Sequence, residues 1–138
     1  MIGAERASRH GSRVKPPQSP EEHAKTVIAA NNYALSLHDL QRYAEAKLLL
    51  HTTIPVARRV LGASHQTTLT MRWNFAKALY RDDSATLDDL REAVTEHEEI
   101  EPIARRVFGG AHPDVVEIEN SLQNARAALR ARETPGDA

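Results

Sequence analysis

The chain has 138 residues, no cysteine and a formal net charge of −1, and only 4% of its residues are aromatic. The near-zero charge offers no bulk attraction to nucleic acid or to an acidic membrane. The lack of cysteine excludes disulfides, thiolate catalysis and thiolate metal sites, and it suits a cytoplasmic setting.

This length fits one domain with a modest core, and abundant Ala, Leu, Glu and Arg favour helix over strand. Residues 1–20 stand apart, with Arg6, Arg9, Arg13 and Lys15 against a single acid, Glu5. They hold no apolar run, so no secretory signal fits. The Arg-rich, Ser-containing composition hints at an organelle transit peptide. Gly11, Pro16 and Pro17 break any amphipathic helix there, so the segment reads as a flexible basic tail. Nowhere is there an apolar run long enough to cross a bilayer.

From residue 21 the chain repeats itself. The segment "ARRVLGASH" at 57–65 returns as "ARRVFGGAH" at 104–112, an offset of 47. The earlier stretch "HAKTVIAANNYALSL" (23–37) aligns with "HQTTLTMRWNFAKAL" (65–79) at an offset of 42. That alignment pairs Thr26 with Thr68, Asn32 with Asn74 and Tyr33 with Phe75. The difference between the offsets falls in "RDDSATL" (81–87), a polar stretch with turn character. A third start, "HPDVVEIENSLQNA" (112–125), opens the unit again. The spacing predicts unit one over 21–62, unit two over 63–109, a capping helix over 112–132 and a short tail over 133–138.

Each unit reads as two helices, giving five helical segments. The second helix of unit one carries Tyr43, Ala46, Leu50, Ile54, Ala57, Val60 and Leu61 at steps of three and four, one helical stripe. Its counterpart carries Leu87, Leu90, Val94, His97, Ala104, Val107 and Phe108. Met71, Phe75 and Leu79 form the core stripe between them. Arg58–Arg59 and Arg105–Arg106 suit the negative ends of helix dipoles. Gly62 and Gly109 follow where a left-handed residue is wanted. Pro113 and Asp114 open the last helix, whose apolar face is Ile118, Leu122, Ala125 and Leu129. Its other face, with Glu117, Glu119, Arg126, Arg130 and Arg132, is polar enough to cap the array. Interior prolines Pro55 and Pro102 predict a kink or a split in both second helices.

The segments "NNYA" (31–34), "WNFA" (73–76), "QRYAEA" (41–46), "ARRVLG" and "HPD" resemble tetratricopeptide repeats of the kinesin light chain type. The likeness covers residues 21–132. It implies an all-α fold: a right-handed α-solenoid of stacked antiparallel helix pairs, here two hairpins plus a capping helix, whose first helices line a concave peptide-binding surface. The family's groove positions fall on Ile28, Asn31, Leu35 and His38 in unit one. In unit two they fall on Thr70, Trp73, Lys77, Tyr80 and Arg81, and in the last helix on Glu117, Asn120 and Asn124. The pattern departs from the family where "WNFA" lacks one Asn and "NSLQ" replaces the small Ala.

The spacing alone puts Trp73, Lys77, Tyr80 and Arg81 on one helical face, mostly away from the core stripe. A Trp beside Tyr and two cations has hot-spot composition. The competing reading packs Trp73 against the neighbouring unit as core.

Other constellations read as structural. His23, His65 and His112 recur at one repeat position, too far apart to share a metal, and suit helix-entry turns. His97 reads as a semi-buried histidine with a hydrogen-bond partner. No nucleophile elbow, paired acids or phosphate loop appears, so neither an enzyme nor a cofactor is expected. The expected function is a non-enzymatic scaffold for a protein partner, a short acidic peptide with one large apolar side chain, with no nucleic-acid or membrane partner. The alternative is a self-assembly element, or part of a longer array, docking through its open end.

Overall fold

The structure, a computed structural model, describes residues 19–134. The tail expected over residues 1–20 therefore lies outside the described residues up to residue 18. Five helices follow one another: α1 Pro20–Asp39, α2 Tyr43–Val60, α3 Gln66–Arg81, α4 Leu87–Phe108 and α5 Pro113–Glu133. There is no strand among the described residues. Nor is any described helix long and apolar enough to cross a membrane.

Each helix packs on its neighbours in sequence order, and α3 also touches α1 and α5. Contacts between α4 and α5 run in opposite senses, with His97 meeting Ser121, Glu98 meeting Arg126 and Arg91 meeting Glu133. These two helices are antiparallel. α3 is the central element, with nine of its 16 residues buried. Its core stripe of Met71, Phe75 and Leu79 joins Val27, Leu50, Ile54 and Ala57 in the main cluster. A second cluster of Ile100, Ala104, Val115 and Ile118 joins α4 to α5, with Trp73 and Phe108 against it.

Local chemistry sets the helix starts. His65 Nδ1 accepts from the Thr67 backbone N–H at 3.0 Å, and His112 Nδ1 from Asp114 at 3.0 Å. Both side chains satisfy amides that the first turn leaves unpaired. His23 does not share this turn role. It lies inside α1, which Ser19 caps by accepting from the Glu22 N–H at 3.1 Å. Thr86 and Asp89 form a reciprocal capping box at the start of α4.

The insertion expected wholly within "RDDSATL" is divided in two. The connection lengthens from residues 40–42 to residues 82–86, and α4 also starts about a turn earlier than its repeat partner.

Of the kink or split expected at Pro55 and Pro102, the split does not occur. α2 and α4 each run through their proline as one helix. Both prolines are exposed, as are His51 and Glu98 four residues before them, so water can satisfy the carbonyls that lose their partners. The stripe of α4 also shifts from expectation: Ile100 is buried, whereas Val107 is exposed. The last helix runs through Glu133, one residue into the expected tail.

Gly62 and Gly109 hold φ of +104° and +96°. A side chain at Gly109 meets no atom within 4 Å, so only backbone strain opposes it. Gly109→Ala should cost about 1–3 kcal/mol in denaturant unfolding. Gly110→Ala should cost much less, because its added carbon meets only the flexible Arg105 side chain at 3.1 Å. Equal losses in the two variants would refute this account of the turn.

Candidate binding face on α1, α3 and α5

The expected site residues lie on the three helices that contact one another through α3. They divide into a connected group and a scattered remainder. At the centre Lys77 Nζ sits 4.1 Å from the centroid of the Trp73 ring. Four residues separate them, one helical turn, so the ammonium lies over the indole face and its quadrupole. Arg81 lies over the Tyr80 ring at 5.8 Å. Neither Lys77 nor Arg81 makes an ion pair within 4.0 Å among the described residues.

Burial pulls the Lys77 pKa down to about 8, and Arg81 adds repulsion. Glu117 and Asp114 on α5 and Asp39 on α1 offset this in part. The lysine therefore sits half-buried with only distant anionic compensation.

His38 extends the group onto α1. Its Nε2 lies 2.8 Å from the Asn74 carbonyl, which can only accept, so Nε2 carries the hydrogen. Burial lowers the His38 pKa first, and Lys77 and Arg81 lower it further against the effect of the carbonyl bond. Among the described residues its Nδ1 is buried without a hydrogen-bond partner, and so is Trp73 Nε1. Asn74 Nδ2 also donates to Asn31 Oδ1 at 3.3 Å, which fixes α1 against α3.

Tyr80 turns the other way. Its hydroxyl lies 3.2 Å from Ser121 Oγ, and Ser121 lies 2.7 Å from His97 Nε2. His97 Nδ1 lies 2.7 Å from the Ala93 carbonyl, so that nitrogen donates. A neutral His97 then accepts from Ser121, and Ser121 accepts from Tyr80. The chain is fully directed, linking α3, α4 and α5 through the interior. A Ser–His pair at this distance matches the spacing of a nucleophile and its base. Ser121 is buried, and its bond to His97 joins α5 to α4.

Trp73 has features of both readings drawn from the sequence. It is half-buried against the α4–α5 cluster while carrying Lys77 on its face. Ile28 and Leu35 are exposed, as an open surface requires. Among the described residues no hydrogen bond or ion pair joins Ile28, Leu35, Thr70 or Asn124 to the Lys77 group; the Thr70 hydroxyl donates to Gln66 of its own helix. Glu117 reaches the group only through its charge on Lys77. Asn120 borders a different place, a polar cleft of about 430 Å³ between α4 and α5. A more apolar cleft of about 390 Å³ opens between α2 and α4 over Phe75 and Leu79.

Three residues beside the expected site escaped the sequence reading. Asn74 ties α1 to α3, Ser121 completes the His97 network, and the buried Arg72 binds Glu96 at 3.4 Å and Glu99 at 3.0 Å. Ser121 had a signal: it stands on the apolar face of α5 as His97 stands on that of α4. Two polar residues on facing apolar stripes need each other.

Comparison with family models, with curated proteins and with solved structures returned no match.

Proposed function

We propose that the chain is a non-enzymatic cytoplasmic scaffold of the tetratricopeptide type, similar to the kinesin light chain repeats, that binds an acidic peptide segment on the α1–α3–α5 face. In this reading the helices pair as a right-handed solenoid and that face is its concave side. The observation that carries the proposal is Lys77 and Arg81 one turn apart and, among the described residues, without an ion pair, beside buried Trp73 Nε1 and His38 Nδ1 atoms that lack partners there. A carboxylate on the ligand supplies what the cations lack, and the partly open indole offers an apolar anchor. An extended ligand suits an open face better than a compact one does.

Arg105 and Arg106 make a weaker site, since Arg105 is already engaged by Glu101 and Glu119. Random peptides displayed on phage and selected on the full chain should converge on acidic sequences with one large apolar residue. Binding should be micromolar, roughly −8 kcal/mol. Reversing Lys77 and Arg81 to Glu should weaken it far more than reversing Arg105 and Arg106. Affinity should also fall as pH rises through about 8, where Lys77 loses its proton. Selection of basic or neutral peptides would defeat the proposal. So would binding that survives Trp73→Ala and Lys77→Glu but is lost with the Arg105–Arg106 pair.

A further inference from the structure

The two units present equivalent residues in unequal surroundings. Phe75 of α3 is only 8% exposed, whereas its repeat partner Tyr33 of α1 is 56% exposed. Asn74 and Thr68 are buried, and their partners Asn32 and Thr26 are exposed. The hydroxyls report the same difference. That of Thr68 reaches across to the Ala57 carbonyl of α2, whereas that of Thr26 turns back to Glu22 of its own helix. The cause is a neighbour: α2 covers this face of α3, and among the described residues no helix covers the matching face of α1.

The uncovered end is also where apolar surface collects. Tyr33, Leu40 and Leu48, three of the seven exposed large apolar residues among the described residues, lie on this side of α1, the turn after it and the first half of α2, while Ile28 and Leu35 belong to the α1 positions of the Lys77 face. A cleft of about 350 Å³ opens there between Tyr33 and Leu37 on one side and Leu48 and Leu49 on the other. Among the described residues the opposite end contributes Val107 from the end of α4 and Val116 from α5 to the exposed apolar set. A patch concentrated in this way marks an interaction surface.

What fits it is shown twice inside the molecule. The face of α3 that matches the bare face of α1 is closed by α2, through Leu50, Ile54 and Ala57. The next helix of that kind, α4, closes on α5 with Ile100 and Ala104. In both, a fully buried alanine allows close approach and a branched apolar residue lies within a turn of it. We propose that the outer face of α1, centred on Tyr33, docks a helix supplied by a partner. That helix carries the α2 and α4 pattern: a small residue flanked by Leu or Ile at steps of three and four, with basic residues in its last turn. A second copy of the chain is a poor source, because its α2 and α4 are already packed. This surface is independent of the Lys77 face and of any peptide bound there.

The probe is a fluorescent synthetic peptide of residues 43–62, the sequence of α2 with its closing Gly62, titrated into the full chain and read by anisotropy. The expected result is saturable binding that Tyr33→Lys weakens about tenfold or more, a loss of ~1.4 kcal/mol. Val116→Lys at the other end should leave it unchanged. Both positions are exposed, so both variants should keep the wild-type circular dichroism and melting curve, which is checked first. Absence of saturable binding, or equal binding by wild type and Tyr33→Lys, overturns the proposal. Self-association of the wild type that Tyr33→Lys abolishes, without peptide binding, would assign the face to a second copy and overturn the partner helix.

Discussion

Removing residues 112–138 should abolish the cooperative melt. α5 contributes Val115, Ile118 and Leu122 to the buried interior, and its loss uncovers Ile100 and Ala104 on α4. Each large aliphatic side chain returned to water costs about 1.5–3 kcal/mol. The burial lost at these three α5 residues and at Ile100 sums to about 6–12 kcal/mol, comparable to the whole stability of a small domain. The truncation also leaves His97 without Ser121 and Trp73 without one wall of its pocket. Thermal unfolding followed by circular dichroism, with light scattering for aggregation, checks the prediction. A monomeric truncation that melts cooperatively at the wild-type temperature would show that α5 is dispensable.

The helices were legible because their signals are local. Apolar steps of three and four, Gly62 and Gly109 at the ends and Pro113 at a start each depend on a few neighbouring residues. The five-helix order follows from them and from the repeat. Misplaced details have tertiary causes. Pro55 and Pro102 stay within continuous helices because they face solvent, and a sequence does not show which way a proline faces. His23 shares a repeat position with two capping histidines, yet Ser19 took the cap because α1 begins earlier. The candidate face was legible as a set of residue types on α3. Its organisation was not, since Asn74 and Ser121 act across elements far apart in sequence. The bare face of α1 was legible only in part: the repeat pairs Tyr33 with Phe75, but only packing shows that one is covered and the other is open.

Lowering the pH from about 7.5 to about 5.5, a range in which unperturbed side chains other than histidine keep their charge, should destabilise the protein through His97 and His38. Burial is the first cause that holds both below their ordinary value of 6.5 in the folded state. The unfolded chain therefore takes up protons at 6.5 while the folded chain resists. The stability linked to each histidine is fully present above that value and is lost as pH falls from it through the lowered folded value. His97 has the larger part, because it is wholly buried and its neutral form is the one that accepts from Ser121. Asp82, held below 3.8 by its bonds to Ser84, adds its own loss only in stronger acid. Glu92, raised above 4.5 by burial, acts in the opposite sense, its cost to the folded state being relieved as pH falls from the raised value to 4.5. Lys77 changes charge near 8, above the window. Replacing His97 by Gln keeps a donor and an acceptor but removes the proton. The variant should lose about 1–3 kcal/mol at the upper pH for imperfect hydrogen bonds, while its melting temperature changes less with pH than the wild type's. His97→Ala should lose on the order of 3 kcal/mol or more, since it adds a cavity and strands Ser121 and Tyr80. A wild-type melting temperature that is flat across the window, or one whose slope persists unchanged when His97 and His38 are both replaced by Gln, would remove these histidines as the cause.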